Sequence, residues 1–225
     1  GGNELKIQTS AGSNLIIAKE DGTLELGVGS NAGSKKETAV GNLANATGET
    51  AVAVGYNTQS TSDFTIAIGR NAKATHKRAM IVGAQALSLG NSATALGHGN
   101  TANTNGTAIG YDSDASTYAT SLGSVARATG SNSIAIGNRA TASGTKSIMI
   151  SNDGIAVTNN VANSLALSFD QSGHVLFVGQ NNHSYYNGSG NFGFGTKEPE
   201  AKLHVNGSAR FDGVTIQKNE DNLEN

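Results

Sequence analysis

Along the middle of this chain a short apolar stretch runs into a glycine, and the pattern returns every fourteen residues. Gly27, Gly41, Gly55, Gly69, Gly83 and Gly97 are fourteen apart, Gly110 and Gly123 follow at thirteen, and Gly137 at fourteen; Ser151 stands where the next would fall. The residue before each is a large aliphatic: Leu26, Val40, Val54, Ile68, Val82, Leu96, Ile109, Leu122, Ile136 and Ile150. Two residues earlier come Leu24, Thr38, Val52, Ile66, Met80, Thr94, Thr107, Thr120, Ile134 and Ile148. In a strand these two positions share one face, because side chains alternate. The residue between them points the other way and is mostly alanine, as at Ala39, Ala53, Ala67, Ala95, Ala108 and Ala135. The pattern predicts a strand apolar on both faces, one bulky and one small, which is the signature of burial on both sides.

A second, shorter strand is predicted after each glycine. Its third and fifth positions are small, as in Ala72 and Ala74 or Ala126 and Ala128, while the positions between carry polar or charged groups such as Lys73 and Arg127. Gly48, Gly90, Gly130 and Gly144 recur seven residues after the first glycine and predict a second corner, with glycine supplying positive φ. Two strands and two corners make one coil. Stacked coils form a repeat architecture in which each unit contacts its neighbours. The predicted fold is all-β: a parallel β-roll solenoid of about fourteen-residue coils, with β-rich caps at both ends. A single thin roll has one interior. The second apolar face therefore needs another wall, and another copy of the chain is the simplest one.

The flanks break the period. Leu5-Lys6-Ile7 and Leu15-Ile16-Ile17, with a turn at Glu20-Asp21-Gly22, predict an N-terminal β cap over 1–23, and the roll spans 24–151. Residues 152–190 form a β-hairpin connector: a strand from Ser164 to Phe169, a turn at Gln171-Ser172-Gly173 and a strand from Val175 to Val178, then a loop from Gln180 to Gly190. In 191–225, Lys202 to Val205 and Ala209 to Phe211 flank Asn206-Gly207 and predict a hairpin.

Composition narrows the classes. With 30 glycines, one proline, no cysteine, no tryptophan and 5% aromatic residues, there is little material for a thick core, and cysteine chemistry is excluded. A net charge of −2 without a Lys/Arg cluster points away from nucleic acid. No apolar run reaches the length of a membrane span, so no membrane insertion is expected of this segment. The five histidines show no metal-ligand spacing, no serine sits in a nucleophile elbow, and the glycines open no helix. No catalytic residue, cofactor or metal is expected, and the chain reads as something other than an enzyme. A left-handed β-helix acyltransferase would need six-residue repeats.

The run Ser133 to Gly144, with Thr65-Ile66-Ala67-Ile68-Gly69 and Ala51-Val52-Ala53-Val54-Gly55, resembles the head repeats of the YadA-like trimeric autotransporter adhesins. That resemblance implies a left-handed roll, three chains side by side and a surface-exposed fibre. No neck, heptad stalk or anchor barrel follows within these residues. Instead Asn191 to Gly213, with Gly193, Gly195-Thr196, Pro199, Lys202-Leu203-His204-Val205 and Gly207, resembles a segment of phage tail-fibre proteins. The two together predict a structural and adhesive segment of a homotrimeric extracellular fibre: first a virion tail fibre attaching to a host surface, alternatively the head of a bacterial trimeric adhesin on the outer surface. An ice-binding solenoid is a remote alternative, because Val52, Ile66 and Ile134 interrupt the column of Thr38, Thr94, Thr107 and Thr120.

The expected partners are two further copies of the chain and a host-cell glycan or protein. The residue after each glycine forms a column on one corner, in which Tyr56, Arg70, His98 and Tyr111 make a candidate receptor surface; His183, Tyr185 and Tyr186 are a second candidate. Val54, Ile68, Val82, Leu96, Ile109, Leu122, Ile136 and Ile150 are the expected roll or trimer core.

Overall fold

A computed structural model describes residues 3–33, 36–151, 154–169, 176–178, 184–186, 192–194 and 200–208. The chain divides into two compact units, Gly1–Asn187 and Gly188–Asn225.

The first unit is a parallel β-solenoid. Three-residue strands before the glycines stack in register, as Val52↔Ile66, Ala53↔Ala67 and Val54↔Ile68. Two-residue strands after them stack likewise, as Asn45↔Gln59 and Ala46↔Ser60. The ladders belong to a fifteen-stranded and a ten-stranded sheet. They lie close enough for Ser113, immediately before the strand Asp114–Ala115 of the narrower sheet, and Ser121 of the wider one to hydrogen-bond through their hydroxyls at 2.7 Å.

That closeness explains why small residues line the interior. Ala53, Ala67, Ala95, Ala108 and Ala135 of the wider sheet and Ala46, Ala72, Ala74, Ala126 and Ala128 of the narrower one are fully buried. The larger apolar residues admitted are Ile81 and Met149, and most of the buried polar side chains are hydrogen-bonded. Asn100, in an alanine column, donates through Nδ2 to the carbonyls of Leu96 (2.6 Å) and Gly110 (3.0 Å) and accepts from the Ser113 N–H (2.9 Å).

The large aliphatics lie outside. Ile66, Ile68, Met80, Val82 and Leu122 are each more than one third exposed on the outer face of the wider sheet. Val54, Leu96, Ile109, Ile136 and Ile150 share that face, half-buried. As roll-core residues, the expected set from Val54 to Ile150 is corrected: the roll closes over alanine, and the bulky column faces away from it.

The two corners differ from expectation in an instructive way. The first-corner glycines have φ between +115° at Gly137 and +146° at Gly83, a region that side chains with a Cβ avoid. A Cβ there would also strike the next coil, since at Gly69 it would stand 2.5 Å from the carbonyl oxygen of Gly83. The second-corner glycines, Gly48, Gly90, Gly130 and Gly144, do not have positive φ. Positive φ falls instead on Thr50, Phe64, Arg78, Ser92 and Asn132, the third residues of tight turns such as Gly48–Ala51, closed by the Ala51 N–H to the Gly48 carbonyl at 3.0 Å.

The thirteen-residue coils lose their residue at the second corner. There the turn closes from Asn103 to Gly106 and from Ser116 to Ala119. Both ladders keep register across the deletion, with Thr94↔Thr107 and Thr101↔Asp114.

The roll also runs one coil past Ser151. Ile148, Ile150 and Ser151 pair in parallel with Leu165, Leu167 and Ser168, and Ala140 and Ala142 with Val157 and Asn159. This coil is longer, which hides it from a fourteen-residue count. Leu176–Val178 then pairs antiparallel with Leu165–Leu167, as the predicted hairpin requires, and Ser184–Tyr186 adds a further antiparallel strand within what the sequence suggests is loop. At the other end, Glu4–Gln8 and Asn14–Lys19 form an antiparallel hairpin whose second strand pairs with Leu24–Leu26. In the second unit, Leu203–Val205 pairs in parallel with Phe192–Phe194; the expected partner Ala209 to Phe211 lies outside the described residues.

Two glycines separate strain from contact. At Gly99 (φ +68°) a Cβ would meet nothing closer than 3.9 Å, and other coils place Asn57 and Asn71 at the same step. Gly69→Ala is expected to lose more than the ~1–3 kcal/mol of a strained backbone, whereas Gly99→Asn changes stability by less than about 0.5 kcal/mol. Paired urea melts of the two variants check this.

Candidate receptor-facing surface

The column after the first-corner glycines is held by the backbone. The carbonyl of Tyr56 accepts from the N–H of Asn71 (2.9 Å), that of Arg70 from Gln85 (2.9 Å), that of Ala84 from Gly99 (3.0 Å) and that of His98 from Asp112 (2.9 Å). Each corner residue is thereby tied to the next coil, and its side chain projects from a fixed ladder. Tyr56, Arg70, His98 and Tyr111 are all exposed, as expected, with Tyr56 and Tyr111 more than half so. His98 and Tyr111 occupy adjacent coils and stack, with ring centroids 5.2 Å apart and planes within 12°. Ala84 stands between Arg70 and His98 and leaves a gap in the column.

The second candidate cluster is described only in part. Tyr185 and Tyr186 lie on the strand Ser184–Tyr186, while His183 and the surrounding segment fall outside the described residues.

The sequence reading passed over two further features. Phe64 and Tyr118 are exposed aromatics at the second corner, both with positive φ. The signal for them was an aromatic in the turn, where polar residues usually stand. On the narrower sheet, Arg127 spans two coils: its guanidinium pairs with Asp114 on the adjacent strand and with Asp112 at 3.3 Å. Asp114 lines a shallow depression of about 310 Å³ with Thr101, Asn103, Ala115, Ser116 and Thr129. Partial burial pushes its carboxyl above the usual carboxylate range; Arg127 pulls the other way and the Asp112 charge adds to the rise. Among the described residues no group of three or more His, Cys, Asp or Glu is placed to hold a metal ion, and no helix is long and apolar enough to cross a membrane.

With this geometry in view, the coils can be compared with known proteins. The family model described as the YadA head domain repeat matches residues 38–58, 60–80, 88–113, 116–140 and 128–148. The matched stretches are similar to YadA head repeats in sequence and fold as stacked coils of the solenoid. No curated protein matches the chain.

The Asp114 carboxyl gives a signed pH dependence. A group whose folded pKa is raised stabilises the fold fully below its unfolded value, near 3.8, and loses that contribution as pH rises through the folded value. Relative to Asp114→Asn, the wild type is expected to gain stability as pH falls from neutral to below 3.8. Matched denaturant melts across that range test it, and a pH-independent difference would refute it.

Proposed function

We propose that this chain forms part of the head of a homotrimeric adhesin displayed on a bacterial outer surface. The observation that carries the reading is the outer face of the wider sheet. Ile68, Val82, Leu96, Ile109 and Leu122 follow one another along it coil by coil as a continuous apolar column, with Ile68, Val82 and Leu122 each more than one third exposed in a single protomer. Contiguous apolar surface of this kind marks an interaction site, and its burial contributes about 25 cal/mol per Å². The YadA head match of the coils supports three copies as the arrangement, since such heads are homotrimeric in general. Three identical surfaces on one assembly raise avidity for repeated host ligands without any new contact.

The tail-fibre reading is the weaker one. It rests on residues 191–213, of which 191, 195–199 and 209–213 lie outside the described residues, and the family match covers the coils alone.

The assembly is directly measurable. Light scattering should give a mass three times the 22.7 kDa of one chain, and a monomeric mass for folded wild type would defeat the proposal. Ile68→Asp and Ile136→Asp should yield folded monomers. A carboxylate on this face stays hydrated in a lone protomer but is buried unpaired in the trimer, at a cost of several kcal/mol. Circular dichroism retained with a threefold drop in mass is the expected result for both.

A further inference from the structure

The gap in the corner column has the dimensions and chemistry of a ligand slot. Arg70 and His98 are separated by two coil steps, about 9.6 Å at the inter-strand spacing, and Ala84 forms the floor between them. A ring in van der Waals contact with both walls needs roughly 7–8 Å between them, so one ring fits and two do not. One wall is the imidazole of His98, backed by the Tyr111 ring, which fixes its plane. The other carries the Arg70 guanidinium, which is exposed and makes no ion pair among the described residues. Gln85, also exposed and with φ +59°, sits beside Ala84 and offers an amide donor and acceptor.

Both walls are anchored. Arg70 and Ala84 pass their carbonyls to the Gln85 and Gly99 N–H groups, and His98 passes its own to Asp112. The spacing is therefore set by the β-ladder rather than by loop conformation, and a ligand entering the slot orders few side chains. The wall chemistry selects the ligand. A stacked imidazole–phenol pair presents a flat face to the C–H side of a sugar ring. A free guanidinium pairs bidentately with a carboxylate. An amide serves hydroxyls. We propose that the slot between Arg70 and His98 binds one ring of a carboxylated saccharide, with the carboxylate on Arg70 and the ring stacked on His98. This proposal rests on the adhesive reading above and specifies its ligand.

The test uses the whole chain, with sialyllactose and glucuronate as acidic probes and lactose and glucose as neutral ones, by saturation-transfer NMR and titration. The wild type should bind the acidic sugars in preference. Ala84→Tyr fills the slot, and its column already accepts tyrosine at Tyr56 and Tyr111, so the variant should fold and bind at least about tenfold more weakly. Arg70→Gln should abolish the acidic preference, and Arg70→Lys should restore part of it. Absence of binding by the wild type, or binding unchanged in Ala84→Tyr, overturns the slot. The mass of the same samples separates the two ideas: a trimer that binds no acidic sugar removes the slot and leaves the adhesin head, whereas a monomer removes the head reading itself.

Discussion

The closeness of the two ladders governs the rest of the roll. Hydroxyls from opposite walls of the roll meet at 2.7 Å between Ser113 and Ser121, which leaves room for alanine, serine or threonine and little else. Close packing of small side chains yields less burial per residue than a Leu-rich core, because each buried methyl contributes little apolar area. The backbone compensates through its ladders, where nearly every coil bonds to the next at both corners as well as along both strands. The glycine column belongs to the same constraint. Its carbonyls pass so near the preceding Cα that a Cβ at Gly83 would stand 1.9 Å from the Gly97 oxygen. From Gly27 to Gly137 the roll admits no side chain there.

A core filled by alanine has a consequence on the outside. Ile81 and Met149 apart, the large apolar residues of the wider sheet lie on its outer face, where a lone protomer leaves them partly wet. The narrower sheet has the opposite character, with Lys73, Asp114 and Arg127 pointing out and cross-coil ion pairs in place of apolar contact. One face is apolar and the other polar, and both follow from strand alternation.

Much of this was legible in the residues. The period, the first-corner glycines and the small columns predict coils, sheets and register, because stacking repeats the same environment and so the same residue. The Tyr56–Tyr111 column was legible for the same reason. What escaped had lost its repetition. The last coil, from Ile148 to Leu165, is longer than its predecessors and carries serine at both glycine positions, Ser151 and Ser168. The positive-φ residues of the second corner are chemically mixed, from Thr50 to Phe64 to Arg78, since an exposed turn fixes the backbone and leaves the side chain free. The side of the strand that forms the roll interior could not be read from apolarity alone; only the distance between sheets decides it.

The shortened coils reveal how framework and surface are kept apart. A residue lost at the first corner would have shifted the column carrying His98 and Tyr111 out of line. It is lost at the second corner instead, where the turn closes one position earlier. The strands on either side stay in register, with Leu96↔Ile109 and Thr101↔Asp114, and the first corner does not register the change. His98 and Tyr111 belong to coils joined by a thirteen-residue step, yet their rings stack at 5.2 Å. Length variation is thus confined to the corner whose turn can absorb it. The opposite corner, tied by the glycine ladder, holds its side chains at constant pitch. A surface whose spacing survives insertion and deletion elsewhere in the coil is a suitable place for recognition, because its side chains can change identity without disturbing the scaffold that positions them.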